Sequence, residues 1–180
     1  MIPSLLPSGH PPPAWVVLDT NVMLDLLVFD DIRSRGLHRA LLVGRLQALA
    51  TAAMFDELAD VLSRPFLMRW LVDPSAVLAK AHALCRQVEQ PATNAGVAPR
   101  CADADDQIFI DLAWHWPARW LFSRDRALLD LARAASLRGL GVLTPAAWST
   151  LPASADPAAD PAADPAADPA ADGTTATDGP

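Results

Sequence analysis

The sequence is poor in the residues that several common kinds of site require. It has two cysteines, Cys85 and Cys101, without CxxC spacing, which excludes a zinc knuckle and favours a reducing compartment such as the cytoplasm. Its four histidines show no ligand spacing either. No apolar run approaches the roughly 20 residues that span a bilayer, and the first residues carry no secretion signal, so we expect no membrane association.

An excess of positive charge is also missing. The chain has 21 acidic and 14 basic residues. Six of the acids lie beyond residue 155, where no basic residue occurs, so the preceding part has 15 acidic and 14 basic residues. This near balance argues against a broad basic surface for nucleic acid. Any contact with RNA must come from a few arginines beside an acidic centre.

The composition predicts one folded domain between two unfolded ends. The chain has 180 residues, of which 52% are hydrophobic, enough for one core. Residues 1–13 are rich in proline and predict a flexible leader. Residues 152–180 contain an Asp-Pro-Ala-Ala repeat, which offers only alanine methyls for burial and predicts a disordered acidic tail. The folded domain is therefore expected over residues 14–151.

Hydrophobic periodicity within this domain predicts strands that alternate with helices. The predicted strands are Trp15–Leu18, Arg45–Ala50, Arg119–Phe122 and Gly141–Leu143, with one more short strand possible between Gln90 and Pro99. The predicted helices are Asn21–Val28, Leu37–Val43, Met54–Leu62, Pro74–Glu89, Asp103–Ala113 and Arg126–Leu137. This alternation indicates the α/β class, as a three-layer α/β/α sandwich with a mostly parallel central sheet.

Four acids occupy positions where such a fold builds its site. Ligands bind beyond the carboxyl ends of parallel strands. Asp19 directly ends the first predicted strand, and Asp125 follows the third by three residues. Asp106 shares the apolar stripe of its predicted helix, whereas Asp105 would point about 100° away from it. Glu57 is flanked by apolar residues in the same manner. We therefore predict Asp19, Glu57, Asp106 and Asp125 as catalytic residues.

Converging carboxylates predict a divalent cation. Buried acids repel one another unless a positive charge compensates them. Oxygen ligands without nearby histidine favour Mg²⁺ or Mn²⁺, and such an ion activates water for attack on phosphorus. The expected metal ligands are Asp19, Asp106 and Asp125, and the expected reaction is phosphodiester hydrolysis.

Each acid also has a simpler interpretation. Asp19 and Asp125 both suit the N-cap of a following helix, and Asp103 is assigned mainly to capping. Glu57 alone suits a solvated helical charge. Two other enzyme or signalling classes place an Asp after a first strand. A haloacid dehalogenase phosphatase needs a second Asp at the position of Asn21, and a receiver domain needs a lysine after a late strand, whereas Lys80 is predicted inside a helix.

Several segments together resemble PIN domains over residues 14–150. They are Asp19-Thr20-Asn21, Phe55 to Pro65, Asp103-Ala104-Asp105-Asp106, Ser123-Arg124-Asp125 and Val142-Leu143-Thr144-Pro145. In the fourth segment, Arg124 stands where the family usually has a small residue. The resemblance implies a compact α/β/α fold and Mg²⁺- or Mn²⁺-dependent cleavage of RNA. The alternative is a PIN-like module that binds RNA or protein without cleaving.

The resemblance also implies partners and supporting residues. The Arg64-Pro65 pair is similar to the subfamily described as toxins of toxin-antitoxin pairs, so an antitoxin protein and a homodimer are expected. The residues expected to support the acids are Thr20, Asn21 and Ser123. The residues considered for phosphate contacts are Arg64, Arg124 and Arg126.

Overall fold

A computed structural model of the chain describes residues 13–67, 69–70, 73–92 and 98–151. The predicted tail at 152–180 and, apart from Pro13, the predicted leader lie outside these residues. Among the described helices, none combines the length and hydrophobicity that crossing a bilayer requires. Cys85 and Cys101 are both buried free thiols.

Five strands form one parallel sheet in the order β3-β2-β1-β4-β5. The strands are β1 Ala14–Leu18, β2 Leu46–Ala50, β3 Cys85–Gln87, β4 Trp120–Phe122 and β5 Gly141–Leu143. The helices are α1 Thr20–Leu27, α2 Arg35–Leu42, α3 Ala52–Leu62, α4 Pro74–Leu84, α5 Gln107–His115, α6 Arg126–Leu129, α7 Ala132–Ser136 and α8 Pro145–Ser149. Short 3₁₀ turns cover Ile32–Ser34 and Pro65–Leu67. This confirms the predicted α/β/α sandwich with a parallel central sheet.

The apolar strands form the centre of the core because helices cover both faces of a parallel sheet. Val16, Val17 and Leu121 have no exposed surface, and Phe122 has none either. Helix α5 packs against β1 and β4, while α1, α3 and α4 pack against one another. The central pair β1 and β4 is therefore the most enclosed part of the sheet.

The predicted helix from Pro74 to Glu89 is correct only in its first part. Helix α4 ends at Leu84, and the backbone turns extended at Cys85. Cys85 then pairs with Ala48 and Gln87 with Ala50, which makes β3 the edge strand. The strand considered for Gln90–Pro99 thus lies earlier in the chain, and residues 93–97 lie outside the described part. Strand β3 forms by pairing with β2, which is distant in the sequence, so helical periodicity could not predict it.

Two other helix predictions need correction at their ends. Helix α5 starts at Gln107 and not at Asp103. The Oε1 atom of Gln107 accepts a hydrogen bond from the Cys101 backbone N–H at 2.7 Å, which ties the preceding loop to the start of the helix. The carboxylate of Asp103 caps only a local turn, by accepting from Asp105 N–H at 3.0 Å. The single helix predicted from Arg126 to Leu137 is divided into α6 and α7.

Strand order places a crevice between β1 and β4. From β1 the chain proceeds to β2 and β3 on one side, whereas β4 and β5 lie on the other side. Ligands of open parallel sheets bind at such a reversal of strand order. The register pairs Leu18 with Phe122, and Asp19 N–H donates to Phe122 C=O at 3.0 Å. The residues that follow, Asp19 and Ser123, therefore lie side by side at this crevice.

Close packing at β5 gives a test of the sheet. A Cβ added to Gly141 would lie 2.8 Å from Cδ1 of Trp120, whose ring is almost fully buried against Trp148. We expect Gly141→Ala to lower the free energy of unfolding by about 1–3 kcal/mol through overpacking. Denaturant unfolding measures this loss. In a Trp120→Phe background the loss should shrink, and an equal loss in both backgrounds would contradict this packing.

Candidate active site

Asp19 is the most buried of the four predicted acids. Only 2% of its surface is exposed. Its Oδ1 accepts from Val22 N–H at 2.7 Å and so caps α1, while its Oδ2 accepts from the hydroxyl of Ser123. Burial raises the pKa of Asp19 to about 6, against the lowering effect of these hydrogen bonds. Asp19 is thus an N-cap, but burial in the crevice destabilises its ionised form.

Ser123 connects Asp19 to Asp125. Its side chain is fully buried, and its hydroxyl donates to Asp19 while it accepts from Asp125 N–H at 2.8 Å. Asp125 in turn caps α6, because its Oδ1 accepts from Ala127 N–H at 2.7 Å. The negative charge of Asp125 also raises the pKa of Asp19. One serine therefore joins the side chain of Asp19 to the backbone of Asp125.

Asp106 brings a third acid to the same region. It precedes α5, and its carboxylate makes no capping hydrogen bond to the helix. Burial, followed by the charges of Asp125, Asp103, Asp19 and Glu57, raises its pKa to about 6. Four acids therefore repel its ionised form. This electrostatic field suits a bound cation.

Glu57 faces the site from α3. Its Oε1 accepts a hydrogen bond from the Thr20 hydroxyl at 2.8 Å, which links α3 to the first turn of α1. Burial raises the pKa of Glu57, the Thr20 bond lowers it, and the charge of exposed Asp105 raises it. Of the two adjacent acids, Asp106 is the one whose pKa is raised, after burial, by the charges of Asp125 and Asp19, whereas the charge of Asp105 raises the pKa of Glu57.

The chemistry of these side chains fits a hard divalent cation, since all are carboxylates and the charges that raise their pKa values are negative. Within the described residues, no three acidic, histidine or cysteine side chains already converge closely enough to hold a metal ion. The acids therefore lie at one edge of the sheet, but their carboxylates are farther apart than the ligands of a single metal ion.

The arginines considered for phosphate contacts differ in their surroundings. Arg64 pairs with Asp60 at 3.0 Å on the surface, and its charge lowers the pKa of nearby Glu57. Arg126 is 93% exposed. The guanidinium of Arg124 lies against the carboxylate of Asp25 on α1. Asn21 is exposed on the first turn of α1, so Ser123, and not Asn21, is the side chain that bonds Asp19.

Sequence reasoning missed Asp25. This residue lies on α1 with 2% of its surface exposed, and its two carboxylate oxygens are each 2.6 Å from Nη1 of Arg124. A sequence signal was present, because Asp25 stands between Leu24 and Leu26 in an otherwise apolar helix. A charge at such a position requires a partner, but the pattern does not say which residue provides it.

The raised pKa of Asp19 predicts a pH-dependent stability. The folded state holds this proton more tightly than the unfolded chain, so stability falls as pH rises from about 4 through about 6. In EDTA, Asp19→Asn should match the wild type near pH ~4 and exceed it near pH ~7.5 by up to about 3 kcal/mol. Denaturant unfolding at both pH values measures this. Asp56→Asn, an exposed change on α3, is the control, and equal curves for Asp19→Asn and wild type at both pH values would contradict the prediction.

Comparison with known proteins agrees with this geometry. A family model described as "PIN domain" matches residues 15–127, from the start of β1 into α6. A search of curated proteins finds no match. The matched range is more than half of the chain and contains all four acids, Asp19, Glu57, Asp106 and Asp125. By this match and by the parallel α/β/α fold, the chain belongs to the PIN domain family.

Proposed function

We propose that the protein is a metal-dependent endoribonuclease that hydrolyses RNA phosphodiester bonds. The observation that carries the proposal is Asp106, a carboxylate that makes no capping hydrogen bond and whose pKa is raised by burial and by the charges of four surrounding acids. Such a cluster is unfavourable beside a polyanion unless a cation is bound there. A protein that only bound RNA would gain nothing from it.

In this proposal Asp19, Asp106 and Asp125 hold a Mg²⁺ or Mn²⁺ ion. When bound, the ion supplies an activated water and neutralises the charge that develops on the leaving oxygen. Ser123 joins the Asp19 carboxylate to the backbone N–H of Asp125 through its two hydrogen bonds.

We assign to Glu57 the acceptance of a proton from the attacking water. Its pKa is raised by burial, which brings a carboxylate nearer to the pH at which it exchanges protons efficiently. The Thr20 hydroxyl holds one of its oxygens at 2.8 Å and orients the group toward the crevice from α3. Thr20 is therefore a positioning residue in this scheme.

Two exposed arginines are proposed to contact RNA phosphates. Arg126 is 93% exposed next to Asp125, and Arg64 is close enough to Glu57 to lower its pKa. Both pair with acids on the surface, Asp130 at 3.8 Å and Asp60 at 3.0 Å, and exposed pairs of this kind are weak. Exchange of such a partner for a phosphate is therefore inexpensive.

The partners and the place of action are also proposed. Arg64-Pro65 after the second acid supports a toxin of a toxin-antitoxin pair, so a small antitoxin protein is a proposed partner, together with RNA and a second copy of the chain. The cytoplasm is the proposed location, where Cys85 and Cys101 would remain the free thiols that they are here.

Cleavage of labelled RNA tests the nuclease directly. With Mg²⁺ or Mn²⁺ we expect internal cuts with linear phosphate ends, because water and not the 2′-hydroxyl is the nucleophile. Glu57→Gln should lower the rate by about 10²–10⁴-fold, the range for one positioned acid or base. Asp19→Asn and EDTA should each remove cleavage, whereas the exposed change Asp56→Asn should leave it unchanged. RNA binding without cleavage across varied RNAs would establish the noncatalytic module.

The toxin role has its own test. Induced expression of the wild-type chain in a bacterial host should arrest growth, because uncontrolled RNA cleavage stops translation. The Asp19→Asn variant, expressed to the same level, should allow normal growth. Colony counts after induction measure the difference. Normal growth with a wild-type chain that cleaves RNA in vitro would leave the nuclease and reject the toxin.

A further inference from the structure

Arg124 forms a charge-assisted contact with a residue that the active site does not otherwise use. Its Nη1 lies 2.6 Å from both carboxylate oxygens of Asp25 and 3.7 Å from Oδ2 of Asp31. The Asp25 side chain is 3% exposed, whereas that of Arg124 is 45% exposed. The pair therefore runs from the interior of α1 to the surface beside the crevice.

Burial makes Asp25 dependent on this arginine. A buried carboxylate without a compensating charge is strongly destabilising, and removal of one partner of such a pair leaves the other uncompensated. The surrounding positions Leu24 and Leu26 are also buried and apolar. Among the described residues, Arg124 is the cation that forms a salt bridge with Asp25, while Arg33 interacts with Asp25 only at longer range and is itself paired with Asp31. Arg124 is thus held at this position by the charge of Asp25.

Chain connectivity transmits this restraint to the active site. Arg124 stands between Ser123 and Asp125, so a fixed Arg124 side chain limits the movement of both neighbours. Ser123 provides the hydroxyl that donates to Asp19 and accepts from Asp125 N–H. Asp25 itself lies on the helix that Asp19 caps. The ion pair thus closes a ring between α1 and the segment 123–125.

We propose that the Asp25–Arg124 ion pair is a positioning element that fixes the segment 123–125, and with it Asp125 and the Ser123 support of Asp19, in the geometry for catalysis. The inference rests on the proposed nuclease function. It assigns Arg124 to alignment of the acids, in place of contact with RNA phosphate. Its guanidinium is already placed on Asp25 and close to Asp31.

Two single variants separate positioning from phosphate binding. Arg124→Met removes the positive charge and keeps an unbranched apolar side chain. Asp25→Asn removes the negative charge of the buried partner, a side chain that is too enclosed to touch RNA. For both variants we expect kcat to fall by about 10–100-fold with little change in KM, because misplacement of catalytic groups affects the chemical step. Arg124→Lys should recover part of the loss, since it keeps the charge without the planar guanidinium.

A matched control is the exposed pair Arg35–Asp30. It has the same 2.6 Å separation, but both side chains are more than half exposed. Arg35→Met should leave kcat and KM at wild-type values. If Arg124→Met does not fold, the double variant Asp25→Asn/Arg124→Met removes both charges together and avoids an uncompensated buried carboxylate.

A second measurement needs neither metal nor activity. In EDTA, amide hydrogen exchange reports the hydrogen bond from Asp125 N–H to Ser123. Exchange at Asp125 should accelerate by about tenfold or more in Arg124→Met and Asp25→Asn, while the core amide of Val17 stays protected. If the wild type cleaves no RNA, the nuclease proposal fails, and this measurement alone decides the positioning role.

Three results would overturn the inference. One is unchanged kcat together with unchanged exchange at Asp125 in both variants. Another is a rise in KM at constant kcat for Arg124→Met with Asp25→Asn unaffected, which would assign Arg124 to phosphate binding. The third is an equal loss of protection at Val17 and Asp125, which would make the pair a general contributor to stability.

Discussion

The pairing of β1 with β4 is the constraint on which the site depends. Because Leu18 is in register with Phe122, the next residue of each strand is Asp19 or Ser123, and the serine hydroxyl meets the carboxylate in a space closed to solvent. A shift of one residue would turn every side chain of the strand to the other face and separate this pair. Two further acids lie next to elements that contact these strands: Asp125 comes two residues after Ser123, and Asp106 directly precedes α5, which packs on both strands.

This arrangement concentrates negative charge at a crevice in which Asp19 is almost fully buried. Asp19 and Asp106 both have pKa values raised to about 6, and the causes are burial and the neighbouring carboxylates. The Arg124 guanidinium pairs with Asp25, which is not one of the four acids of the cluster. The cluster itself remains negative and so favours an ion from solution. Membership of the PIN domain family, a match that covers residues 15–127, agrees with that chemistry.

The sequence alone predicts the parts of this structure that depend on local pattern. The apolar run before Asp19, the helix of Glu57 and the short strand Gly141–Leu143 follow from periodicity and were correctly predicted. The misplaced edge strand Cys85–Gln87 and the late start of α5 at Gln107 depend on pairing with β2 and on a side-chain bond to Cys101, which are long-range or specific contacts. The Asp25–Arg124 pair joins residues 99 positions apart. The sequence therefore shows that Asp25 is a charge in an apolar helix, but it does not show that Arg124 is its partner.

The central claim is that the carboxylates form one divalent cation site, and a crystal structure of the full chain with Mn²⁺ tests it most directly. Data collected at the manganese absorption edge locate the ion independently of any assumption about its ligands. The account predicts an anomalous peak bounded by the carboxylates of Asp19, Asp106 and Asp125, with oxygen–metal distances of about 2.0–2.2 Å, and loss of that peak in Asp19→Asn. Absence of a peak at these acids under saturating Mn²⁺, or a peak held by other residues, would contradict it.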